Sequence, residues 1–455
     1  MYVKQIYTDC LSQASYYIES KNESVIIDPI RDIDYYDHLL NKRNSTLKYV
    51  LETHFHADFI SGHIELSNKY SCPIVFGPNA NTDFKSLSLN DGDTVNVGDV
   101  YIKVIHTPGH TLESVCYLLF DKNGNQHSLY TGDTLFIGDI GRPDLAIDNN
   151  ISIYDLASML YESLYTKILK LDEKLIIYPA HGPGTQCGKS LSKEIFSTLK
   201  KQKETNYALK FNNKDDFIES ITNNIPKAPE YFKDSALLNK KGYKKQKELF
   251  KKSSKSLKSN EIIDFVKQEI NIVDTRETID FSSGHIINSI NIPLCGRFAI
   301  TAANLFKLKD SLVIICDEGK EDESIVRLSR VGFENVMGYY NKNVKIPDFD
   351  RYLRKLPSKK GSKIHEVYDY DIIDVRMSSE HDNNSVKNSI NVPLYELNDS
   401  IHIFDKNKKY ALHCRSGYRS SVASSILLKN NINNILNISD GMIGIEKNKK
   451  VIFNK

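Results

Sequence analysis

The amino-acid sequence predicts a layered α/β fold divided among about three domains. The chain has 455 residues, which is more than one hydrophobic core normally holds. Short β-rich runs alternate with helical stretches over the first half, and an internal repeat occupies the second half. These three observations favour one larger α/β domain followed by two similar smaller domains.

The first domain is assigned to residues 1–238. Its apolar runs have the length and β-branched composition of strands. The segment from Met1 to Ser15 has the pattern of a strand and a turn, not that of a signal or transit peptide. The predicted strands are Ser24 to Ile27, Tyr49 to Glu52, Ile74 to Phe76, Tyr101 to Ile105 and Leu175 to Tyr178.

A lysine-rich segment, residues 239–259, follows the first domain and is interpreted as a solvated helix or linker. The repeat then predicts two tandem domains, the first copy at 260–355 and the second copy at 360–455. In each copy the order of strand, helix and strand is typical of a parallel sheet flanked by helices. The offset is 100 positions (374 − 274 and 388 − 288) in the two matched pairs, Asp274-Thr-Arg276 with Asp374-Val-Arg376 and Asn288 to Leu294 with Asn388 to Leu394.

Composition limits the class of partner. The 60 Lys and Arg and 58 Asp and Glu residues give a net charge of +2, which provides no field for nucleic acid. No apolar run is long enough to cross a membrane. The seven cysteines are widely spaced without a CxxC pair, so reduced thiols in a cytoplasmic protein are expected. Small substrates are therefore expected, with no nucleic-acid or membrane partner, and a homo-oligomer is left open.

Four groups of metal-ligand residue types follow β-like runs in the first domain. A lone histidine at such a place is usually structural, but four groups in succession predict a metal site. In sequence order the groups are His54-Phe-His56-Ala-Asp58, Thr107-Pro-Gly-His110, Thr131-Gly-Asp133 and Tyr178-Pro-Ala-His181.

This series resembles the metal-site motifs of the metallo-β-lactamase superfamily, which implies an αββα sandwich. The dinuclear zinc hydrolases of that superfamily, including glyoxalase II, have HxHxDH, but Phe59 replaces the last histidine here. Phenylalanine cannot ligate a metal, so a mononuclear centre is the better hypothesis. His54, His110 and Asp133 would then form a two-histidine, one-carboxylate facial triad.

The neighbouring polar residues have weaker assignments. His56, Asp58 and His181 match the superfamily's remaining ligand positions, and in a mononuclear site they are expected to support the ligands or bind water, with metal ligation as the alternative. Cys187 follows soon after His181. It is expected to be either a functional thiol near the pocket mouth or a buried structural cysteine.

A facial triad leaves room on Fe(II) for a thiolate-type substrate and O₂ together. The persulfide dioxygenases share this triad, and the segment from Thr131 to Asp144 is similar to their GD…GRxD segment. The resemblance implies one Fe(II) per chain, oxidation of a low-molecular-weight persulfide by O₂ to sulfite, and a substrate-binding role for Arg142. The alternative for Arg142 is an ion pair with Asp144 or Asp139. Glutathione, coenzyme A, bacillithiol and cysteine persulfides are all candidate substrates.

In the second copy, a β-run ending at His413 leads into Cys414-Arg-Ser-Gly-Tyr-Arg419, and a helix is expected from Val422. Backbone N–H groups, the helix dipole and the arginines should favour a thiolate or persulfide at Cys414. The loop resembles that of an active rhodanese domain and differs from the C-x₅-R loop of cysteine phosphatases. This resemblance implies sulfane-sulfur transfer at Cys414, forming or using thiosulfate. The residues expected to bind the sulfur substrate are Arg415, Gly417, Arg419 and Ser420.

The corresponding loop of the first copy begins at Cys316 and is strongly acidic. Its carboxylates should oppose thiolate formation and repel anionic sulfur donors. Aligning Gly332 with Asn431 gives a shift of 99 (431 − 332), which places Cys316 opposite Arg415 rather than Cys414. We therefore predict that the first copy is a degenerate, inactive rhodanese domain and that the second copy is active.

Two other functions are compatible with parts of this pattern. One is a dizinc, glyoxalase II-like thioester hydrolase with sulfurtransferase domains, in which zinc replaces iron; Phe59 argues against it. The other is a sulfur-carrier protein whose first domain only binds, and the complete triad argues against it.

Overall fold

The computed structural model describes residues 1–147, 150–189, 191–341, 349–367, 369–448 and 450–454. The chain divides into two compact units, Met1–Gln246 with Ser329–Gly332 and Lys247–Leu328 with Phe333–Lys455. No helix in these described ranges is both long and apolar enough to span a membrane. The domain boundaries assigned from the sequence stay predictions.

The first unit contains two six-stranded sheets and has the αββα architecture that its motifs predict. The first sheet runs in sequence order from β1 to β6, and the second has the order β12-β11-β10-β9-β8-β7. The strands are β1 (Tyr2–Thr8), β2 (Gln13–Ser20), β3 (Glu23–Ile27), β4 (Thr46–Leu51), β5 (Ile74–Phe76), β6 (Leu87–Ser88), β7 (Thr94–Val97), β8 (Val100–His106), β9 (Val115–Phe120), β10 (Gln126–Gly132), β11 (Ile176–Pro179) and β12 (Ser197–Thr198). The helices are α1 (Asp34–Arg43), α2 (His63–Tyr70), α3 (Ile153–Glu162), α4 (Leu199–Thr205), α5 (Lys214–Thr222) and α6 (Tyr231–Lys241).

Strand β9 shows why its sequence is a continuous apolar run. Successive side chains of a strand point to opposite faces of the sheet. Tyr117 and Leu119 pack in the core that both sheets share. Cys116 and Leu118 belong to a second core, which also contains Leu160 of α3. Both faces of this strand are therefore buried.

The second unit contains two parallel sheets, as the repeat predicts. Their strand orders are β15-β13-β16-β17 and β19-β24-β23-β20-β22, and two short antiparallel pairs, β14-β18 and β21-β25, accompany them. The strands are β13 (Asn271–Asp274), β14 (His285–Ile286), β15 (Ser289–Asn291), β16 (Leu312–Cys316), β17 (Val336–Asn341), β18 (Leu353–Arg354), β19 (Ser358–Lys359), β20 (Asp371–Asp374), β21 (Ser385–Val386), β22 (Ile390–Asn391), β23 (Tyr410–His413), β24 (Ile435–Ile438) and β25 (Phe453–Asn454). The helices are α7 (Gln246–Ser253, which begins at the unit boundary), α8 (Ser259–Lys267), α9 (Thr278–Ser283), α10 (Phe298–Leu305), α11 (Glu321–Arg330), α12 (Ser378–Asn383), α13 (Tyr418–Lys429) and α14 (Gly441–Ile445).

The strand registers correct the sequence alignment of the two copies. Asp274 pairs with Ile315, the residue before Cys316, and Asp374 pairs with His413, the residue before Cys414. Cys316 is therefore equivalent to Cys414, not to Arg415. The alignment on Gly332 and Asn431 was wrong at the cysteine. Asn431 lies 17 residues after Cys414 (431 − 414), whereas Gly332 lies 16 residues after Cys316 (332 − 316), so the second copy has one more residue between these points.

Helix α13 begins at Tyr418, four residues before the predicted start at Val422 (422 − 418). It packs against β15 of the first copy. The buried Ser421 hydroxyl donates to Asn291 Oδ1 at 2.7 Å, and the Asn291 N–H donates to Ser425 Oγ at 3.0 Å. Two serines one helical turn apart therefore attach the helix after Cys414 to the first copy.

Replacing Ser421 by Ala should lower the free energy of unfolding of the second unit by about 1–3 kcal/mol, because Asn291 Oδ1 would stay buried without its donor. Ser424→Ala is the matched control. Ser424 is equally buried on the same helix, and its Oγ has no hydrogen-bond partner within the described part of the chain. Because the Ser424 hydroxyl makes no hydrogen bond that the substitution could break, Ser424→Ala should lower the free energy of unfolding by no more than about 0.5 kcal/mol. Equal losses in chemical denaturation of the two variants would contradict this role of Ser421.

Candidate metal centre and sulfur-transfer loop

The ends of four strands bring the predicted metal ligands together. His54 follows β4, His110 follows β8, Asp133 directly follows β10, and His181 follows β11. Strands β10 and β11 are parallel neighbours that end side by side, with Gly132 paired to Pro179. Ligands from distant parts of the sequence therefore meet at one edge of the sandwich.

His54, His110 and Asp133 converge as a buried triad. One ligand atom from each lies within 4.8 Å of the others. Asp133 Oδ2 lies 3.3 Å from His110 Nε2 and 3.8 Å from His54 Nε2. The structure thus places together the three residues that the sequence predicts as ligands.

Hydrogen bonds orient both imidazoles. The Thr53 hydroxyl donates to Asp28 Oδ2 at 2.9 Å, so its oxygen accepts from His54 Nδ1, also at 2.9 Å. His110 Nδ1 donates to the Arg142 carbonyl at 2.9 Å. In both rings Nδ1 carries the proton, and the Nε2 lone pair faces Asp133.

The donor atoms fit a cation. Among the described residues, His110 Nε2 and both Asp133 carboxylate oxygens are buried without a hydrogen-bond partner. Burial lowers the pKa of His54, and the charges of His56, His110 and His181 lower it further. A neutral imidazole beside an unpaired carboxylate is the form that metal ligation requires.

Gly141 allows the loop after Asp133 to close over the triad. A Cβ at this position would lie 2.0 Å from the Asp133 carbonyl oxygen and 2.9 Å from His110 Nδ1. Any larger residue would displace the backbone that holds these ligands.

The imidazole of His56 faces two carboxylates that are not part of the triad. Its Nε2 lies 3.1 Å from Asp28 Oδ1 and 3.4 Å from Glu52 Oε2. Burial opposes protonation of His56, but these carboxylates outweigh burial and raise its pKa well above the usual value. Burial raises the pKa of Glu52 to about 7. The supporting role assigned to His56 stays a prediction.

Asp58, His181 and Cys187 form a second buried group, whose ligand atoms also lie within 4.8 Å of one another. His181 Nε2 is 3.5 Å from both Asp58 Oδ2 and Asp133 Oδ1. Cys187 is 1% exposed, so it lies inside the centre and not at a pocket mouth. Burial raises the pKa of its thiol, and the charges of Asp58 and Asp133 raise it further. The sequence pattern singled out Cys187 as a thiol but missed its proximity to Asp58 and His181, because no spacing rule links these residues.

Arg142 makes the ion pair that was the alternative to substrate binding. Its guanidinium binds Asp144 through two hydrogen bonds of 2.6 and 2.7 Å. It also donates to the carbonyl oxygens of Gln186 and Pro226, at 3.1 and 2.5 Å. The ion pair therefore forms with Asp144, and the substrate-binding role of Arg142 stays a prediction.

The Cys414 loop is arranged around its sulfur. The Gly417 N–H donates to Cys414 Sγ at 3.1 Å. Gly417 has φ of +97°, and a Cβ there would lie 1.9 Å from the Ser439 carbonyl oxygen. The loop therefore requires glycine, and its backbone supports a sulfur nucleophile.

The charged residues of this loop are paired with carboxylates. Arg419 binds Glu380 through hydrogen bonds of 2.6 and 2.9 Å, and Arg415 binds Glu446 at 2.8 Å. The sequence motif did not indicate these acidic partners, because Glu446 lies 31 residues from Arg415 and Glu380 lies 39 residues from Arg419. The Ser420 hydroxyl donates to the Gly417 carbonyl at 3.2 Å, which stabilises the loop itself.

Cys316 has a different environment. Burial raises its pKa to about 12, and the charges of Glu321 and Asp317 add to the effect. Its thiol donates to Asn341 Oδ1 at 3.3 Å. This agrees with the predicted effect of the acidic loop, although burial is the larger cause.

Comparisons with known proteins agree with this architecture of an α/β sandwich with a metal site and two parallel-sheet domains. Residues 8–181 match the model of the metallo-beta-lactamase superfamily, and residues 258–345 and 358–448 match that of the rhodanese-like domain. The chain belongs to the metallo-beta-lactamase superfamily and carries two rhodanese-like domains.

Individual relatives cover parts of the chain. A hydroxyacylglutathione hydrolase of Francisella philomiragia is 33% identical over 38% of this chain and 63% of its own length, so the chain spans about three-fifths of that relative. One of Pelagibacter ubique is 30% identical over 49% of this chain and 83% of its own length. A crystal structure described as a metallo-beta-lactamase from Staphylococcus aureus subsp. aureus COL is 29% identical, with a TM-score of 0.66 over 75% of this chain and 98% of that one.

Cys316 should resist alkylation in the folded protein. Because its pKa rises from 9.0 to about 12, about a thousandfold less of it is thiolate near neutral pH than of an ordinary cysteine. Iodoacetamide labelling at increasing pH, followed by mass spectrometry, should modify the exposed Cys295 first. Glu321→Gln should speed the labelling of Cys316 by removing a nearby negative charge. Labelling of Cys316 as fast as Cys295 at neutral pH would contradict the raised pKa.

Proposed function

We propose that the chain is an iron-dependent persulfide dioxygenase coupled to a sulfurtransferase. The first domain would oxidise a low-molecular-weight persulfide with O₂ to sulfite. The second copy would transfer sulfane sulfur at Cys414, forming or using thiosulfate. Such a pair of reactions fits sulfide detoxification.

The observation that carries the proposal is the ligand set of the triad. Two imidazoles and one carboxylate converge, while His56 Nε2 faces Asp28 and Glu52. Fe(II) bound by such a set supplies O₂ chemistry beside a thiolate-type substrate. This argument favours iron over zinc.

The charges of the site also favour an anionic persulfide. His54 and His110 contribute no charge when neutral, and Asp133 contributes one negative charge. A divalent ion held by these three residues keeps a net positive charge. In a buried site this charge attracts an anionic sulfur substrate more strongly than it would in water.

The Cys414 loop supports the transfer step. In the direction of thiosulfate formation, the terminal sulfur of a Cys414 persulfide is attacked by sulfite, its bond to Cys414 Sγ breaks, and the thiolate and thiosulfate are the products. The Gly417 N–H would stabilise the anionic sulfur left on Cys414. In the opposite direction, the Cys414 thiolate would attack the sulfane sulfur of thiosulfate and release sulfite. A small thiolate would then attack the outer sulfur of the Cys414 persulfide, which forms a new persulfide and releases the Cys414 thiolate.

A zinc-dependent thioester hydrolase is the second candidate. Its support is the name of the curated relatives, hydroxyacylglutathione hydrolase, and the second ligand group of Asp58, His181 and Cys187. A parallel assay of O₂ uptake with glutathione persulfide and of hydrolysis of a glutathione thioester separates the two. Hydrolysis without O₂ uptake in iron-loaded protein would overturn the dioxygenase proposal.

We also propose a cytoplasmic location, supported by the seven unpaired cysteines. Glutathione, coenzyme A, bacillithiol and cysteine persulfides stay open as substrates, and the same O₂-uptake assay run across them would identify the carrier thiol.

Asp133→Ala should lower the iron content from one per chain to near zero and reduce O₂ uptake by about 100-fold or more, because it removes the only anionic ligand of the triad. Sulfur transfer at Cys414 should be unchanged, since the two sites lie in different units. Metal analysis after anaerobic purification, O₂ uptake and a thiosulfate:cyanide assay measure the three quantities. Loss of both activities in a folded variant would contradict separate sites.

Cys414→Ser should abolish sulfur transfer, because a hydroxyl is not ionised near neutral pH and cannot form a persulfide. O₂ uptake with a small persulfide should continue. The product should shift from thiosulfate to sulfite if transfer runs toward thiosulfate; in the other direction, thiosulfate should no longer support O₂ uptake. Cys316→Ser is the matched control and should change neither activity. Loss of sulfur transfer in Cys316→Ser but not in Cys414→Ser would show that the first copy is the active one.

A further inference from the structure

We propose that His381 and His413 are positioning residues for Cys414. Both imidazoles face the buried carboxylate of Asp374, so that its negative charge opposes formation of the Cys414 thiolate less strongly. The proposal rests on the proposed function only in taking Cys414 as the nucleophile of sulfur transfer. It assigns a role to two residues outside the loop that carries the nucleophile.

The strand register brings Asp374 close to the nucleophile. Asp374 pairs with His413 across the parallel strands β20 and β23, and Cys414 is the next residue of the chain. The Asp374 side chain is fully buried, and Arg376 binds both of its oxygens. Burial raises the pKa of Asp374, but the hydrogen bonds from Arg376 outweigh burial and lower it. A buried, ionised carboxylate therefore lies one residue pair from Cys414.

Two imidazoles face this carboxylate. His381 Nδ1 lies 3.1 Å from Asp374 Oδ2, and because an ionised carboxylate only accepts, the imidazole donates. His413 Nδ1 lies 3.9 Å from Asp374 Oδ1, and neither ring nitrogen of His413 has a hydrogen-bond partner in the described part of the chain. Burial lowers the pKa of His413 to about 4, so this imidazole is neutral near neutral pH. Polar groups around a buried carboxylate stabilise its charge and weaken its effect on neighbouring groups.

The first copy keeps the aspartate and the arginine that binds it but lacks both histidines. Ile315, which pairs with Asp274, takes the position of His413. Phe281 takes the position of His381, at the offset of 100 positions (381 − 281). The framework that the two copies share therefore does not require a histidine at either position, and both histidines occur in the copy with the Cys414 loop.

The first copy also shows how the aspartate acts without the two histidines. Burial raises the pKa of Cys316 to about 12, and the acidic loop raises it further. The charge of Asp274 adds to these effects. His285 does not take the place of the missing histidines, because its Nδ1 donates to the Phe281 carbonyl at 3.0 Å. An aspartate at this position therefore opposes thiolate formation at the cysteine that follows the neighbouring strand.

Two ion pairs complete the charged surroundings of Cys414. Arg419 binds Glu380, and Arg415 binds Glu446. Substitution of the two histidines leaves both pairs in place. A change in the ionisation of Cys414 would therefore report on the histidines and not on the charges of the loop.

The pH dependence of Cys414 alkylation in the full-length protein tests this role. Iodoacetamide labelling of the Cys414 peptide is followed by mass spectrometry across a pH series. Each rate is divided by the plateau rate of the same variant at high pH, which cancels differences in access to the thiol. His413→Ile and His381→Phe introduce the residues of the first copy. Each should move the midpoint to higher pH and slow labelling near neutral pH by about three- to tenfold, because the carboxylate then disfavours the thiolate more strongly.

A polar substitution separates this role from packing. His413→Asn keeps an N–H donor but loses volume, whereas His413→Ile fills the space without a donor. The midpoint of His413→Asn should therefore stay close to that of the unchanged protein. His402→Phe is the matched control, because His402 is exposed and its Nδ1 bonds the Asp399 carbonyl. Its profile should be unchanged, and circular dichroism confirms that each variant is folded.

Sulfur transfer gives a second readout. In a thiosulfate:cyanide assay, kcat of His413→Ile should fall near neutral pH and recover at higher pH. The KM for thiosulfate should stay within about twofold, because the loop arginines are unchanged. Absence of sulfur transfer in the unchanged protein would count against the proposed function, whereas the labelling profiles would still decide the role of the two histidines.

An unchanged midpoint in folded His413→Ile or His381→Phe protein would overturn the proposal. So would an equal shift in His413→Asn and His413→Ile, because packing would then explain both. A shift of the same size in His402→Phe would overturn it as well, since that histidine lies outside the group around Asp374.

Discussion

The metal centre depends on one buried carboxylate. Asp133 is 2% exposed, and neither oxygen has a hydrogen-bond partner among the described residues. A buried carboxylate without hydrogen-bond partners is stabilised when a cation lies beside it. The surrounding residues support this carboxylate. Thr53 and the Arg142 carbonyl hold the nearby imidazoles with Nε2 toward Asp133, and Gly141 allows its own backbone to lie close to that of Asp133. This edge of the sandwich is therefore arranged to hold a cation.

The two rhodanese-like copies share the residues that stabilise their sheets but differ in the loops after their cysteines. In both copies an arginine binds the aspartate two residues before it, as in Arg276 with Asp274 and Arg376 with Asp374. An asparagine in each copy, Asn291 or Asn391, donates to the two backbone carbonyls of this same segment. The repeated residues therefore stabilise the sheet edge, whereas the loops after the equivalent cysteines differ in length and charge. The repeat that is visible in the sequence therefore corresponds to the framework that the two copies share.

Persulfide chemistry connects the two kinds of site in the proposed function. A sulfur atom that leaves Cys414 and a sulfur atom oxidised at the triad belong to the same class of reactive, anionic compound. Joining both activities in one chain raises the effective concentration of an intermediate that would otherwise diffuse away.

The sequence by itself determined the layered α/β class, the tandem repeat, the triad of His54, His110 and Asp133, and the Cys414 loop. These features depend on local patterns: strand-sized apolar runs, ligands directly after strands, and a short contiguous loop. Only the tertiary structure decided that Cys187 joins Asp58 and His181, that Arg142 pairs with Asp144, and that Cys316 is equivalent to Cys414. Each of these outcomes depends on side-chain direction or strand register, which is set by packing between segments that are distant in sequence.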